Sequence, residues 1–350
     1  MDFGVFLDFS RRKGSTQAQI FQEAFDLVDM AEENGLDTIW LGESHFNPNR
    51  SVMSAPIVVA SSIATRTEHL RVGMAVQVLP LISPLRIAEE AATVDQISRG
   101  RFEFGVGRSG NARAYEIMGI PYEESPARFQ EALDIILEAW KGETFSYHGE
   151  FNHIDGATVS PAPYQTPRPP VRLASTQNDS FARVGNLGFP IFLSMRGMDV
   201  NDLETSLKDY HKSWTQAGHP GDGGDISVRV PVYIAATEAE AIEEPRESIE
   251  SFFARRRQMY LNNLGRAGAE APEEGQVRSE RLAAMTYEEI LETKVIFGTP
   301  ERVIDRLGQF QEILGLSGFA AELNPGGLLP PEAVQRSMKL LTQEVMPAFK

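Results

Sequence analysis

The chain contains no cysteine among its 350 residues. Disulfides, thiolate nucleophiles and cysteine-ligated metals are therefore excluded, and no metal site is predicted. No apolar run approaches the ~18 residues that a membrane-spanning helix requires. The stretch Met1–Phe9 has neither the basic segment nor the long apolar core of a signal peptide. These absences predict a cytoplasmic protein that does not enter a membrane.

Positive charge is scarce. The chain has 33 Lys and Arg against 49 Asp and Glu, which gives a net charge of −16. This balance argues strongly against nucleic acid or an anionic membrane as a partner, because both require a basic face. The only dense basic cluster, Arg255–Arg257, lies in a polar helical stretch. We expect it to be a solvated helix face.

Short β-type runs alternate with amphipathic helical runs along the whole chain. The predicted strands are Phe3–Phe9, Asp37–Leu41, Leu70–Leu79, Arg101–Val106, Val171–Ala174, Pro190–Ser194, Ile226–Ala235 and Gly318–Leu323. Each is followed by a helical run: Ala18–Glu33, Ser54–Thr65, Leu85–Ile97, Ser125–Lys141, Ser180–Leu187, Val200–Ala217, Glu238–Asn263 with Pro300–Leu314, and Pro331–Met346. Eight such units favour one α/β domain over residues 1–350, a (β/α)8 TIM barrel. A doubly wound dinucleotide-binding sheet would need a glycine fingerprint after the first strand, and residues 8–14 do not supply it.

Two segments break the alternation. Residues 142–169 contain four prolines, which cannot lie inside a helix or a central strand. We expect this insertion to cross the mouth of the barrel. Residues 264–287 are rich in Gly, Ala, Glu and Arg and have no apolar period. They are predicted to be a mobile lid or a disordered insertion.

The active site of such a barrel lies at the carboxyl ends of its strands. The fourth strand ends in Gly107-Arg108-Ser109-Gly110. Glycine lets backbone N–H groups approach a ligand closely, and arginine offers a planar fork of donors to phosphate. The alternative is an ordinary β–α connection. The pattern nonetheless makes Gly107 and Arg108 candidates for a phosphate site.

The fifth strand ends in a turn that carries Ser175, Thr176 and Ser180 and then enters a helix. Hydroxyls and free N–H groups at a helix N-terminus form an anion site, although plain N-capping is the alternative. Because the fourth and fifth strands are neighbours, this turn and Arg108 would share one phosphate.

Polar and small residues end the second and third strands. Glu43, Ser44 and His45 follow the second strand, where a histidine beside an acid can perform acid–base chemistry or belong to a capped loop. Met74–Val78 ends the third strand, where small residues let a flat ring lie against the backbone or simply fill the barrel. Together the four strand ends describe a phosphate-bearing aromatic cofactor, and flavin mononucleotide (FMN) fits that shape.

Several longer stretches of the sequence are each common, but their combination in this order is specific for one family. They are Gly35–Trp40 leading to Glu43–Phe46, Val72–Pro80, Pro84–Glu90, Asp95–Arg108, Ser175–Ser180, Gly298–Glu301, Ser337–Lys339 and Val345–Pro347. In this order, over nearly the whole length, they resemble the bacterial luciferase-like family of flavin-dependent monooxygenases.

The resemblance implies that the chain binds reduced FMN and uses O₂ to oxygenate a small organic substrate, an aldehyde, ketone or similar compound, through a flavin C4a-hydroperoxide. It also implies a separate NAD(P)H:flavin reductase and a homodimer. Arg108 matches the phosphate-binding arginine of the family, and Thr176, Gln177 and Ser180 match its phosphate turn. Ala75–Val76 matches a non-proline cis peptide beneath the flavin ring.

Two positions depart from luciferase itself. Ser44 stands where luciferase has its catalytic histidine, and Gly107 stands where it has a reactive cysteine. Light emission from a long-chain aldehyde is therefore not expected. His45, with Glu43 nearby, is the predicted residue for handling the peroxide proton.

Two other functions stay open. Related barrels use the deazaflavin F420 for hydride transfer without oxygen, and the acidic tail of F420 would need basic residues near the mouth. The net charge of −16 argues mildly against that cofactor. The other alternative is a non-catalytic flavin-binding homologue, and a turnover assay would separate it from an enzyme.

Overall fold

The computed structural model describes residues 1–175, 178–267 and 272–350. Its strands are β1 (Asp2–Leu7), β2 (Thr38–Leu41), β3 (Arg71–Met74), β4 (Gln77–Val78), β5 (Phe102–Gly107), β6 (Phe145–His148), β7 (His153–Ala157), β8 (Val171–Ala174), β9 (Ile191–Ser194), β10 (Ile226–Ile234), β11 (Ile296–Gly298) and β12 (Gly318–Glu322). Its α-helices are α1 (Gln17–Glu33), α2 (Pro56–Arg66), α3 (Pro84–Ser98), α4 (Ala112–Ile117), α5 (Ser125–Ala139), α6 (Asn178–Leu187), α7 (Val200–Gln216), α8 (Glu238–Glu243), α9 (Arg246–Asn263), α10 (Pro272–Ala284), α11 (Tyr287–Thr293), α12 (Pro300–Leu314) and α13 (Pro331–Leu340).

The strands close into a parallel barrel in the order β1, β2, β3, β5, β8, β9, β10, β12 and back to β1. β4 continues the third strand by pairing with β5, and β11 adds to the end of β10. The predicted (β/α)8 TIM barrel is confirmed. All nine residues of β10 are buried, as expected for a parallel strand with the barrel interior on one face and helices on the other.

The third predicted strand, Leu70–Leu79, is interrupted in the structure. It divides into β3 and β4 at the cis peptide bond between Ala75 and Val76. The backbone of β3 comes very close to the neighbouring strand β5 at Gly105. A Cβ at that position would stand 1.8 Å from the Met74 carbonyl oxygen, so only glycine fits there. A side chain at position 105 would therefore displace the start of the Ala75–Val76 segment.

The expected position of the 142–169 insertion is wrong. The segment forms the antiparallel hairpin β6–β7, and Glu131 of α5 accepts hydrogen bonds from the backbone N–H groups of residues 150–152. Farther along, Gln165 bonds to Asp95 at the end of α3 and to the carbonyl of Phe102 at the start of β5. Because α5 runs antiparallel to the strands, the chain that leaves it stands at their amino ends. The insertion therefore lies away from the barrel mouth.

The expectation for residues 264–287 is also wrong in part. Residues 272–284 form helix α10, which packs on α9, and residues 268–271 lie outside the described part of the chain. The predicted helix Glu238–Asn263 is two helices, α8 and α9, with Pro245 between them. Proline has no N–H for the helical hydrogen bond, so it marks the division. Within the described residues, no helix is long and apolar enough to cross a membrane.

Candidate active site

A cavity of about 560 Å³ opens at the carboxyl ends of the barrel strands. Its walls come from residues that follow β2, β3, β5 and β9, from residues of β1, β8 and β10, and from side chains of α5, α6 and α9. Six of the predicted site residues line it: Glu43, Ala75, Val76, Gly107, Arg108 and Ser180. Thr176 and Gln177 lie outside the described residues.

One end of this cavity, which we call the β5–β8 end, is made by Arg108, Ser180 and Arg183. Arg108 Nη1 donates to Ser125 Oγ at 3.4 Å, and the backbone carbonyl of Arg108 accepts a hydrogen bond from Tyr115. Burial raises the pKa of Tyr115, so its hydroxyl stays a donor to this loop. Arg108 is thereby held through its side chain and through its backbone carbonyl, which fixes the loop after β5.

Ser180 and Arg183 stand one helical turn apart on α6 and therefore share a helix face. Ser180 Oγ bonds to Ser175 Oγ, and Arg183 Nη2 donates to Gln130 Oε1 at 2.9 Å. Sequence reasoning missed Arg183, although its spacing of three from Ser180 was a signal for the same face. The β5–β8 end thus presents two guanidinium groups and a hydroxyl to the cavity.

The wall beside this end is largely apolar. The Ala75–Val76 peptide bond is cis, as the resemblance predicts. A Cβ on Gly107 would stand 2.7 Å from Val76 Cγ2, so the close approach of the two strands requires glycine there. Phe6 and Phe192 line the same cavity, which gives an aromatic ring an apolar surface to pack on.

Glu43 is the acidic residue of this wall. Its side chain is only 3% exposed, and its Oε2 accepts hydrogen bonds from Gln77 Nε2 at 2.6 Å and from the Val78 N–H at 2.9 Å. Its Oε1 lies 2.6 Å from Nε2 of His45. Three donors therefore hold the Glu43 carboxylate against the Ala75–Val76 segment.

His45 and Ser44 do not line the cavity. His45 stands behind Glu43 and packs against Phe46, with ring centroids 5.8 Å apart. The Ser44 N–H bonds to the Met53 carbonyl at 2.8 Å and fixes the turn after β2. Among these three predicted residues, only Glu43 reaches the cavity directly.

The opposite side of the cavity carries a buried charge network. Arg229 Nε donates to Glu322 Oε2 at 2.8 Å, and Arg196 Nη2 lies 3.1 Å from Glu322 Oε1. Arg50 pairs with Asp8 at 3.2 Å. Burial raises the pKa of Glu322, and the ion pair with Arg229 opposes that rise. These arginines carried no local sequence signal, because their partners lie far away in the chain.

The cluster Arg255–Arg257 is not the solvated face that the sequence suggested. Arg256 lines the cavity and donates from Nη2 to Tyr260 Oη at 3.0 Å, and Arg255 bonds to the carbonyl of Gly326. Only Arg257 is exposed. Consecutive helical residues point about 100° apart, so three neighbours cannot share one face. The polar composition of α9 concealed this division.

The residues present fit FMN. The guanidinium groups of Arg108 and Arg183 are suitable donors for a phosphate, and so is the hydroxyl of Ser180 in the first turn of α6. The apolar wall of Val76, Phe6 and Phe192 is suitable for a flat ring system. A volume of about 560 Å³ lies within the usual range of ~300–1,000 Å³ for small-molecule sites.

Comparisons with known proteins identify relatives of the whole chain. The oxygenase component of the flavin-dependent trigonelline monooxygenase of Acinetobacter baylyi is 26% identical over 362 residues, which cover 100% of this chain and 96% of that protein. Two solved structures share the fold. One is the oxygenating constituent of 3,6-diketocamphane monooxygenase from Pseudomonas putida in complex with FMN, with a TM-score of 0.81, 20% identity, and coverage of 99% of this chain and 98% of that one.

The other is the F420-dependent tetrahydromethanopterin reductase of Methanopyrus kandleri, with a TM-score of 0.74, 18% identity, and coverage of 100% and 99%. The family model for luciferase-like monooxygenases matches residues 1–317. The resemblance read from the sequence motifs is thereby confirmed, and the chain belongs to the luciferase-like monooxygenase family.

Proposed function

We propose that this chain is an FMN-dependent monooxygenase that uses reduced FMN and O₂ to oxygenate a small organic substrate. The observation that carries the proposal is the β5–β8 end, where Arg108, Ser180 and Arg183 line a cavity that also has an apolar wall. An FMN phosphate fits that end, and the flavin ring fits the wall. Bound reduced FMN would supply the electrons with which O₂ is activated.

In this proposal Arg108 and Arg183 hold the phosphate, and Ser180 with Thr176 and Gln177 completes the phosphate turn. Ala75, Val76 and Gly107 shape the surface under the ring. Phe6 and Phe192 keep that surface dry, which protects reactive oxygen chemistry from water. Helix α10, which packs on the cavity-lining helix α9, is the proposed cover.

Glu43 is the proposed catalytic residue, since it lines the cavity. His45 positions Glu43 through the 2.6 Å contact between its Nε2 and Oε1 of Glu43. Ser44 supports the same turn through its bond to Met53. The pair can hold a proton at the edge of the cavity and release it to a reacting group without bulk water.

A separate NAD(P)H:flavin reductase is the proposed source of reduced FMN. The "oxygenase component" name of the Acinetobacter relative supports this division of labour. The single domain over residues 1–350, the homodimer and the cytoplasmic location stay predictions of the sequence. The chain alone should not oxidise NADH in the presence of FMN, and steady NADH consumption by reductase-free protein would contradict this.

The test is an anaerobic titration with reduced FMN. Arg108→Met should weaken binding about 10- to 100-fold, because a charge-assisted hydrogen bond contributes roughly 1.5–3 kcal/mol. Arg113→Met is the matched control, since Arg113 is exposed on the neighbouring helix α4. Equal affinities for the two variants would overturn the assignment. Oxygen uptake with added reductase and a substrate panel then tests turnover.

An F420-dependent oxidoreductase is a second candidate. Six arginines line the cavity, and a cofactor with a long acidic tail would suit them: Arg50, Arg108, Arg183, Arg196, Arg229 and Arg256. Parallel titrations with reduced FMN and reduced F420 distinguish the two cofactors. Tighter binding of F420, with hydride transfer and no oxygen uptake, would replace the proposed function.

A further inference from the structure

A second cavity of about 190 Å³ lies beside the main one, between the end of β9, helix α9 and helix α10. We call it the basic chamber. Five cationic side chains line it, and they are Arg196, Arg256, Arg278, Arg281 and Lys294. Asp202 is the one acidic residue in its described lining.

The chamber and the main cavity share a wall. Arg196, Gly197, Met198 and Arg256 line both cavities. A Cβ on Gly197 would stand 2.7 Å from Arg256 Nη2, so the guanidinium lies directly against the backbone at that position. Arg196 and Arg256 therefore stand at the boundary between the two cavities, where a ligand that occupies either one can contact them.

Arg196 and Arg256, the two cations at the boundary of the cavities, are incompletely compensated by the described residues. Arg196 shares its carboxylate partner, Glu322, with Arg229. Arg256 bonds to the neutral hydroxyl of Tyr260. In the described part of the chain, the Nε atoms of Arg196 and Arg256 are both buried and have no hydrogen-bond partner. Such groups are costly to bury unless an acceptor completes them.

Lys294 adds to this imbalance. The residue is only 3% exposed, and burial lowers the pKa of its amine, with Asp199 opposing that change. Asp199 is also 3.4 Å from Arg281 Nη2, so its carboxylate is shared between two cations, and Asp202 is the other carboxylate that acts on Lys294. A chain with a net charge of −16 has thus gathered five cations around one small cavity. An anionic group entering the chamber would relieve their mutual repulsion.

The β5–β8 end already accounts for the cofactor phosphate, so a second anion is needed for the chamber. We propose that the substrate is an organic carboxylate whose carboxylate group is bound by Arg196 and Arg256, while its reacting carbon lies in the main cavity. The planar guanidinium fork matches a carboxylate in two parallel hydrogen bonds. This inference rests on the proposed monooxygenase function and adds the chemical class of its substrate.

The test measures binding without turnover. Protein with and without saturating oxidised FMN is titrated calorimetrically with benzoate, pyridine-3-carboxylate and hexanoate, and with the corresponding amides. The carboxylates should bind more tightly than their amides. Arg256→Met should weaken carboxylate binding about 10- to 100-fold, the usual size of a charge-assisted contact, and leave the amides unchanged.

Two further variants complete the design. Gly197→Ala keeps every charge but pushes the Arg256 guanidinium away, so it should also weaken the carboxylates. Arg257→Met removes an exposed arginine from the same helix and should change nothing. If no carboxylate binds more tightly than its amide, or if Arg257→Met matches Arg256→Met, the inference is overturned.

The outcome is separable from the cofactor question. If FMN does not bind but carboxylates still depend on Arg256, the proposed function fails and the chamber stands. If FMN binds normally and carboxylates show no preference, the chamber inference alone fails. If F420 binds and Arg256→Met weakens F420 rather than the carboxylates, the chamber holds the tail of a cofactor and the substrate assignment is wrong.

Discussion

The β5–β8 end and the basic chamber both present arginine to a ligand, but the chain builds them differently. At the β5–β8 end, Arg108 directly follows a strand, and Ser180 and Arg183 stand in the first turns of a helix. The chamber draws its cations from the end of β9, from α9, from α10 and from Lys294 before β11. The first kind of site follows the barrel topology, and the second depends on how outer helices pack. We expect the first to serve a cofactor and the second a substrate.

The largest effect is expected at Glu43, which lines the main cavity and belongs to neither region. Glu43→Gln keeps the shape but removes the proton-holding carboxylate, so product yield should fall about 10²- to 10⁴-fold, the usual contribution of a positioned acid or base. FMN and carboxylate affinities should stay within a few-fold. Product analysis and hydrogen peroxide assays check this, and peroxide should rise as product falls.

His45→Gln is the companion to that variant. As a positioning residue, His45 should change the pH profile of product formation more than the affinity for either ligand. Should His45→Gln and the parent share one pH profile and one yield, His45 is structural, and Glu43 acts without it.

A reciprocal pair of variants tests the comparison itself. Arg108→Met should weaken FMN about 10- to 100-fold and leave carboxylates nearly unchanged, while Arg256→Met should do the reverse. Direct binding titrations of both ligands to both variants give the four dissociation constants that are compared. A comparable loss of both ligands in both variants would mean that the two regions act as a single anion site.

A smaller effect is expected at Arg183. Its Nη2 already donates to Gln130 at 2.9 Å, a closer bond than the 3.4 Å bond from Arg108 to Ser125, so one donor of Arg183 is committed to the protein. Arg183→Met should weaken FMN by about 3- to 10-fold, which is less than the loss at Arg108, since roughly one hydrogen bond of ~1 kcal/mol is removed. A loss greater than that of Arg108→Met would make Arg183 the principal phosphate ligand.

The smallest effect is expected far from both regions, at Glu131. Burial opposes its ionisation, but the hydrogen bonds from Asn152 and the backbone of residues 150–152 outweigh that and lower its pKa below 4.5. A lowered folded-state pKa stabilises the fold above pH ~4.5, and that contribution disappears as the pH falls through the folded value. Glu131→Gln should therefore lower the melting temperature by about 1–3 °C at pH 7, from a loss of ~1–2 kcal/mol spread over the unfolding entropy of a 350-residue chain.

Thermal unfolding of parent and Glu131→Gln between pH 7 and pH 3 checks this prediction. The difference in melting temperature should shrink toward low pH, and both ligand affinities at pH 7 should be unaffected. Glu138→Gln, in an exposed pair with Lys141, is the control and should show little change. A difference that is constant with pH would mean that packing, not ionisation, holds the hairpin.

Sequence patterns predict those features of the molecule that depend on neighbouring residues in the chain. Strand–helix alternation predicts the barrel, and the position of Arg108 at a strand end predicts its place in the cavity. Arg229 gives no such signal, because it lies inside a buried strand and finds Glu322 only in the folded barrel. Arg256 was misread because the polar composition of α9 hides which face is buried. The side of the barrel occupied by the insertion was predictable, since a chain that leaves a barrel helix stands at the amino ends of the strands.

The hairpin β6–β7 also offers a point of attachment. It is fastened to α5 through Glu131, on the side of the barrel away from the cavity, and His148, Glu150 and His153 near its tip are exposed. A tag, a surface linker or a fused reductase joined there would leave the route to the cavity clear. Enzyme immobilised through this hairpin should therefore keep its access to diffusing flavin.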